Sequence, residues 1–117
     1  MKQFTICRTL YGAEIRAWIR TGQDGTRASV SGGQLPHVGA VSVVHAEGPC
    51  KTGQYPGHKD AFVSERWANA LADAGYRPVM VEAGIHYDNL SREGIQAVLD
   101  LSEDMLAEAL THLQSDI

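Results

Sequence analysis

The sequence predicts an α/β (α+β) fold: a mixed sheet in the order β-β-β-β-α-β-α, with helices packed on one face. Three observations predict it. Apolar residues alternate with polar ones through the first third of the chain, the period of a half-buried strand. A short apolar run at Val38, Val41, Val43 and Val44 carries no charge, as a strand buried on both faces does. The second half holds two stretches with apolar residues at helical spacing, separated by one more short apolar run.

Each element has its own signal. Phe4, Ile6 and Leu10 alternate with Thr5, Cys7 and Thr9, giving a first strand that ends at Tyr11-Gly12. Ile15, Ala17 and Ile19 alternate with Glu14, Arg16, Trp18 and Arg20, so an antiparallel hairpin is expected, with the arginines and Trp18 outward. Residues 21–25 form a turn cluster containing Asp-Gly. Residues 27–31 read as a third strand, and Gly32-Gly33 turns the chain into the fourth at 38–44, completing a meander. Residues 48–57 carry three glycines and two prolines and read as a long loop. A helix follows through Val63, Trp67, Leu71 and Ala74, with Gly75 as its stop. Pro78-Val79-Met80-Val81 is the last strand. Ser91 caps a final helix with a wide stripe of Ile95, Val98, Leu99, Met105, Leu106, Ala109, Leu110 and Leu113.

The totals exclude several classes. The 117 residues suit one domain, 1–117, and 44% hydrophobic content suffices for a core. The formal net charge is -4, and no Lys/Arg run offers a nucleic-acid footprint. No apolar run is long enough to span a membrane. Met1-Lys2-Gln3-Phe4 is not a signal-peptide pattern, and Cys7 and Cys50 lack CxxC spacing, so reduced thiols and a cytoplasmic location are expected.

A strand–helix–strand unit from Val38 to Val81 is expected to be a right-handed parallel crossover. It would gather His45, Glu47, His58, Lys59, His86 and Asn89 at one sheet edge, with His37 at the opposite edge. Two helix N-termini at one edge favour an anion or phosphate, to which Lys59 adds a charge and His58 a titratable donor. Set against this, Lys59 reads equally as a solvated side chain and His58 as a loop residue. His45, Glu47, His58 and His86 have the chemistry of divalent-metal ligands but no metal-site spacing. Covalent catalysis is poorly supported: Lys51 beside Cys50 would favour its thiolate, but no motif supplies a partner base, and a loop cysteine of no special role is the better reading.

Three motifs in order, GGQLPHVGAV, PGHKD ahead of a helix and GIHYDNLS ahead of the final helix, resemble the LpdD-like prenylated-flavin chaperones. That family is similar in fold to the proteasome assembly chaperones, small dimeric α/β domains. The resemblance implies a non-enzymatic protein. It would hold prenylated FMN or FMN and help deliver it to a UbiD-type decarboxylase of aromatic acids. It carries the binding role onto Gly32, Gly33, His37, Gly57, His58, Lys59, His86, Asp88 and Asn89. A divalent metal held by His58 and His86 is a further expectation. With His37 placed at the far edge, a homodimer is expected to bring it to the pocket of the other chain. The competing readings are a metal-dependent enzyme acting on a small polar substrate at the His45/Glu47/His58/His86 edge, and a ligand-free assembly module.

Overall fold

A computed structural model describes residues 1–56 and 60–115. It contains β1 (Lys2–Leu10), β2 (Ala13–Gly22), β3 (Gly25–Gly33), β4 (Ala40–Val44), β5 (Cys50–Gln54), α1 (Ala61–Asp73), β6 (Val79–His86) and α2 (Arg92–Gln114). One six-stranded mixed sheet runs in the order β1-β2-β3-β6-β4-β5.

The first three strands follow the alternation. Tyr11 and Gly12 both take positive φ (52° and 76°), the two-residue turn that matches strand twist, and Leu10 pairs with Ala13 across it. The second hairpin is equally tight: Gly22 pairs with Gly25, leaving only Gln23 and Asp24 in the turn. Ile6, Ile15, Ala17, Ile19, Ala28 and Val30 point into the core. Arg16 and Arg27 stay outward and exposed, with Trp18 and Arg20 half-buried beside them.

Beyond β3 the chain departs from the expected meander. β4 does not pair with β3; β6 lies between them, parallel to β3 and antiparallel to β4. The cause is β5, a strand where a loop was expected. β4 and β5 form a hairpin with Val44 opposite Cys50 and Ala40 opposite Gln54. That extra strand returns the chain to the end where β4 began. α1 therefore starts at that end, and β6 runs against β4 rather than alongside it. The expected parallel crossover from 38 to 81 is replaced by an antiparallel pair.

Both helices contribute to one core with the inner sheet face, centred on Trp67, Leu71, Met105 and Leu106, all essentially inaccessible. The Trp67 indole N–H donates to Ser102 Oγ at 2.9 Å and ties α1 to α2. Gly75 takes φ 99° just past α1, as its stop requires, and the Ser91 side chain accepts from the Gly94 N–H at 3.0 Å to cap α2. The α2 stripe is narrower than expected at its start, where Ile95 is exposed. Among the described residues no helix is long and apolar enough to cross a membrane.

Candidate functional site

The site follows from an arch. Since β6 lies between β3 and β4, the connection from Gly33 to Ala40 must pass over the C-terminal end of β6. Backbone bonds pin it there: Gln34 N–H donates to His86 O at 2.7 Å, and Gly39 N–H to Ala83 O at 2.8 Å. Gly84 makes the crossing possible, since a Cβ on it would lie 1.5 Å from the His37 carbonyl oxygen. Gly33 serves the same packing: a Cβ there would sit 2.1 Å from His86 O. Gly32, at φ 150°, is pressed against the backbone of Glu14 and Ile15.

The arch carries His37 to the start of α1. Its Nε2 lies 3.0 Å from Asp60 Oδ2 and its Nδ1 2.9 Å from Leu35 O. A neutral imidazole has a single N–H, so satisfying both oxygen atoms takes a second proton, on the ring or on the carboxyl group. Asp60 stands at the N-cap of α1 yet does not cap it with its side chain. Its Oδ1 instead accepts the Ile85 N–H at 3.0 Å, and Gln54 Oε1 takes over the helix start by accepting from Ala61 N–H at 3.1 Å. Gly39 leaves room for this pair, since a Cβ there would meet Asp60 Oδ2 at 1.9 Å.

Above this polar floor lies a cavity of about 330 Å³, bounded by His37, Asp60, His86 and Tyr87 on the polar side. Val63, Ile85, Leu90, Ile95, Val98 and Leu99 form its apolar wall. That volume is at the low end of the ~300–1,000 Å³ usual for small-molecule sites. A second depression of about 310 Å³ adjoins it across Tyr87 and Leu90, bounded also by Tyr11, Gln34, Asp88, Asn89 and the first turn of α2. Tyr87 separates the two. Its hydroxyl donates to Ala13 O at 3.2 Å, and burial pushes its pKa above the ordinary 10. His86 Nε2 sits 2.8 Å from Asp88 Oδ1, while the Asp88 N–H donates to Gln34 Oε1 at 2.8 Å. Asn89 adopts φ 56°, a conformation short polar side chains tolerate.

The sequence-derived set is therefore partly regrouped. His37, His86, Asp88 and Asn89 share one end of the sheet, with Gly33 in the ladder beside His86. His37 is not at the opposite edge, and no second chain is needed to bring it to this cavity. His45 and Glu47 are the misplaced pair. They follow Val44, which pairs with Val79 at the other end of β6, and Arg77 there donates to the carbonyls of His45 and Gly48. His45 and Glu47 therefore lie at the opposite end of β6 from His86, because the edge expected to join them depended on the parallel crossover. Gly57, His58 and Lys59 lie outside the described residues. Among the described residues no three His, Cys, Asp or Glu side chains are placed to hold a metal ion, so the expected metal finds no support. Asp60 was missed as a site residue. Its signal was present in the PGHKD motif, one position beyond the residues selected.

Residues 10–114 match the family model described as the prenylated flavin chaperone LpdD-like domain. The chain is also 30% identical over 91 residues to Protein LpdD of Lactiplantibacillus plantarum, an alignment covering 74% of this chain and 67% of that protein. With the mixed sheet, the arch over β6 and the cavity at its end in place, these matches make the chain a member of the LpdD-like prenylated flavin chaperone family.

Proposed function

We propose that this protein binds and holds prenylated FMN, or FMN, in the cavity at the end of β6 and helps deliver it to a UbiD-type aromatic acid decarboxylase, with no turnover of its own. One observation carries the reading: a single cavity sets six apolar side chains against His37, Asp60, His86 and Tyr87. A flavin has the same division, an apolar edge of the ring system and a hydrogen-bonding edge opposite. The ring system occupies the first chamber, and its phosphorylated tail reaches the second, beside the N-terminal turn of α2. The family resemblance also assigns Gly57, His58 and Lys59 to the cofactor, and the charge of a lysine suits a phosphate. Chaperone membership of the family supports the role.

A homodimer belongs to the same proposal. The outer sheet face holds the half-buried side chains of Trp18, Val41, Val43 and Met80 between Arg16, Arg27 and Glu82, and neither helix packs on it. A second copy on that face would cover them without touching the cavity.

Flavin titration tests the binding role. Wild-type protein is expected to quench FMN fluorescence saturably and to gain thermal stability from FMN or prenylated FMN. His37→Ala and Lys59→Ala are expected to weaken binding at least tenfold. Absence of any stability gain with either flavin would refute the reading.

A further inference from the structure

Among the described residues, the large apolar side chains left exposed are Met1, Tyr11, Leu35, Val38, Tyr55, Phe62 and Ile95. Apart from Met1 they are not scattered. Five of the other six stand one residue or one contact from the wall of the first cavity, and Tyr55 reaches it through Gly39, which packs against His37 and Asp60. Ile95 is part of that wall. Val38 follows His37 in the arch, and Leu35 accepts the His37 Nδ1 contact at 2.9 Å. Tyr11 meets the Tyr87 ring edge-on at 6.0 Å. Tyr55 N–H donates to Gly39 O at 2.9 Å, and Phe62 lies between Ala61 and Val63 at the start of α1. The six come from five separate segments that share only this end of the sheet.

Scattered exposed hydrophobics need no explanation, but a collar of them around a cavity mouth does. All six are 45–63% exposed. Three are aromatic, the residue type that anchors protein interfaces. Their combined exposed area is on the order of several hundred Å², approaching the ~800 Å² that one partner contributes to a standard interface. A ligand inside the cavity leaves Leu35, Tyr55 and Phe62 uncovered, because they stand outside its wall.

We infer that this collar is the surface on which the flavin-free recipient enzyme docks, mouth to mouth, so that the flavin passes between two apolar-rimmed openings without crossing water. The inference rests on the proposed cargo role and names its partner surface. The occupant is the recipient rather than a second copy for two reasons. The collar stands beside the cavity wall at His37, Val63, Tyr87 and Ile95, so a symmetric partner seated there would cover two cavities that both have cargo to release. The bare sheet face at right angles to it is free for self-association.

The test uses Leu35→Ser, Tyr55→Ser and Phe62→Ser, singly and combined, with Trp18→Ser and Val43→Ser on the sheet face as controls. Three quantities are read for each: FMN affinity, association of the unloaded protein with flavin-free UbiD-type decarboxylase, and the rate at which loaded protein activates that enzyme. The collar variants are expected to keep FMN affinity within about twofold, while association and activation fall at least tenfold for the triple variant; the controls keep both. Wild-type activation by the triple variant would overturn the inference, as would loss confined to the sheet-face variants. A collar substitution that converts a sedimenting dimer to monomer would overturn it too. Should wild-type protein bind no flavin yet bind the decarboxylase through the collar, the surface stands and the cargo reading falls.

Discussion

Asp60 shows how much one side chain can hold. Its two carboxylate oxygens join β6, through the Ile85 N–H, to the arch, through His37, and its backbone carbonyl accepts N–H groups of the first turn of α1. Asp60→Ala removes the acceptor of a partly buried N–H, and a stability loss of about 1–3 kcal/mol is expected in urea unfolding. Asp60→Asn keeps an oxygen for Ile85 and is expected to recover most of that loss, but not flavin affinity. Tyr87 makes a spectroscopic prediction. Its pKa is raised by burial, so the folded state holds the phenolic proton more tightly than the unfolded chain. The associated stability is complete below the unfolded value of about 10 and is lost as pH rises through the folded value. A titration of tyrosinate absorbance is therefore expected to show one late-ionising tyrosine, absent from Tyr87→Phe.

At the scale of elements, β5 decides the topology, although it is weakly apolar. What holds it is a line of hydroxyl groups. Ser64 Oγ donates to Ala61 O at 3.3 Å, which orients the other two bonds. Ser42 then donates to Ser64, and Thr52 to Ser42, each at 2.7 Å. The line stitches β5, β4 and α1 together, with Ser42 and Ser64 fully buried. Ser42→Ala interrupts it at the centre and is expected to cost about 1–3 kcal/mol by denaturant titration, whereas Ser42→Cys, which keeps a weak donor, costs less. Gly84→Ala acts on the arch. A methyl group at 1.5 Å from a carbonyl oxygen cannot be absorbed by a side-chain rotation, so the arch must lift from β6. Flavin affinity is expected to fall at least tenfold even where the melting temperature shows the protein still folded.

For the whole molecule, the sheet divides the work between its two ends and two faces. The inner face builds the core, where Trp67→Ala is expected to cost about 3–5 kcal/mol and to unfold a marginal domain at modest temperature. One end of the sheet carries the cavity and the exposed apolar collar, and the other carries the β4–β5 loop held by Arg77. If self-association uses the outer face, Trp18→Asp is expected to shift sedimentation from dimer to monomer and to leave FMN titration unchanged.

The sequence by itself determined the local elements and the family. Alternation at Ile15, Ala17 and Ile19, the helical spacing at Val63, Trp67 and Leu71, Gly75 as a stop and Ser91 as a cap are all decided within a few residues, where the backbone and its nearest neighbours set the energy. The motifs around His37, His58 and His86 point to the same family that the match over residues 10–114 shows. Strand order was beyond that reach. The sequence 50–54 alternates Cys50 and Thr52 with Lys51 and Gly53, but its buried partners are hydroxyl groups on β4 and α1, so its stability appears only when those elements meet. Missing that one strand reverses the direction of everything after it relative to β4. For that reason the sequence alone places His45 and Glu47 at the same edge as His86 and His37 at the opposite one. Only the tertiary structure, by inserting β6 between β3 and β4, forces the chain to arch over a strand end and brings His37, Asp60 and His86 to one cavity.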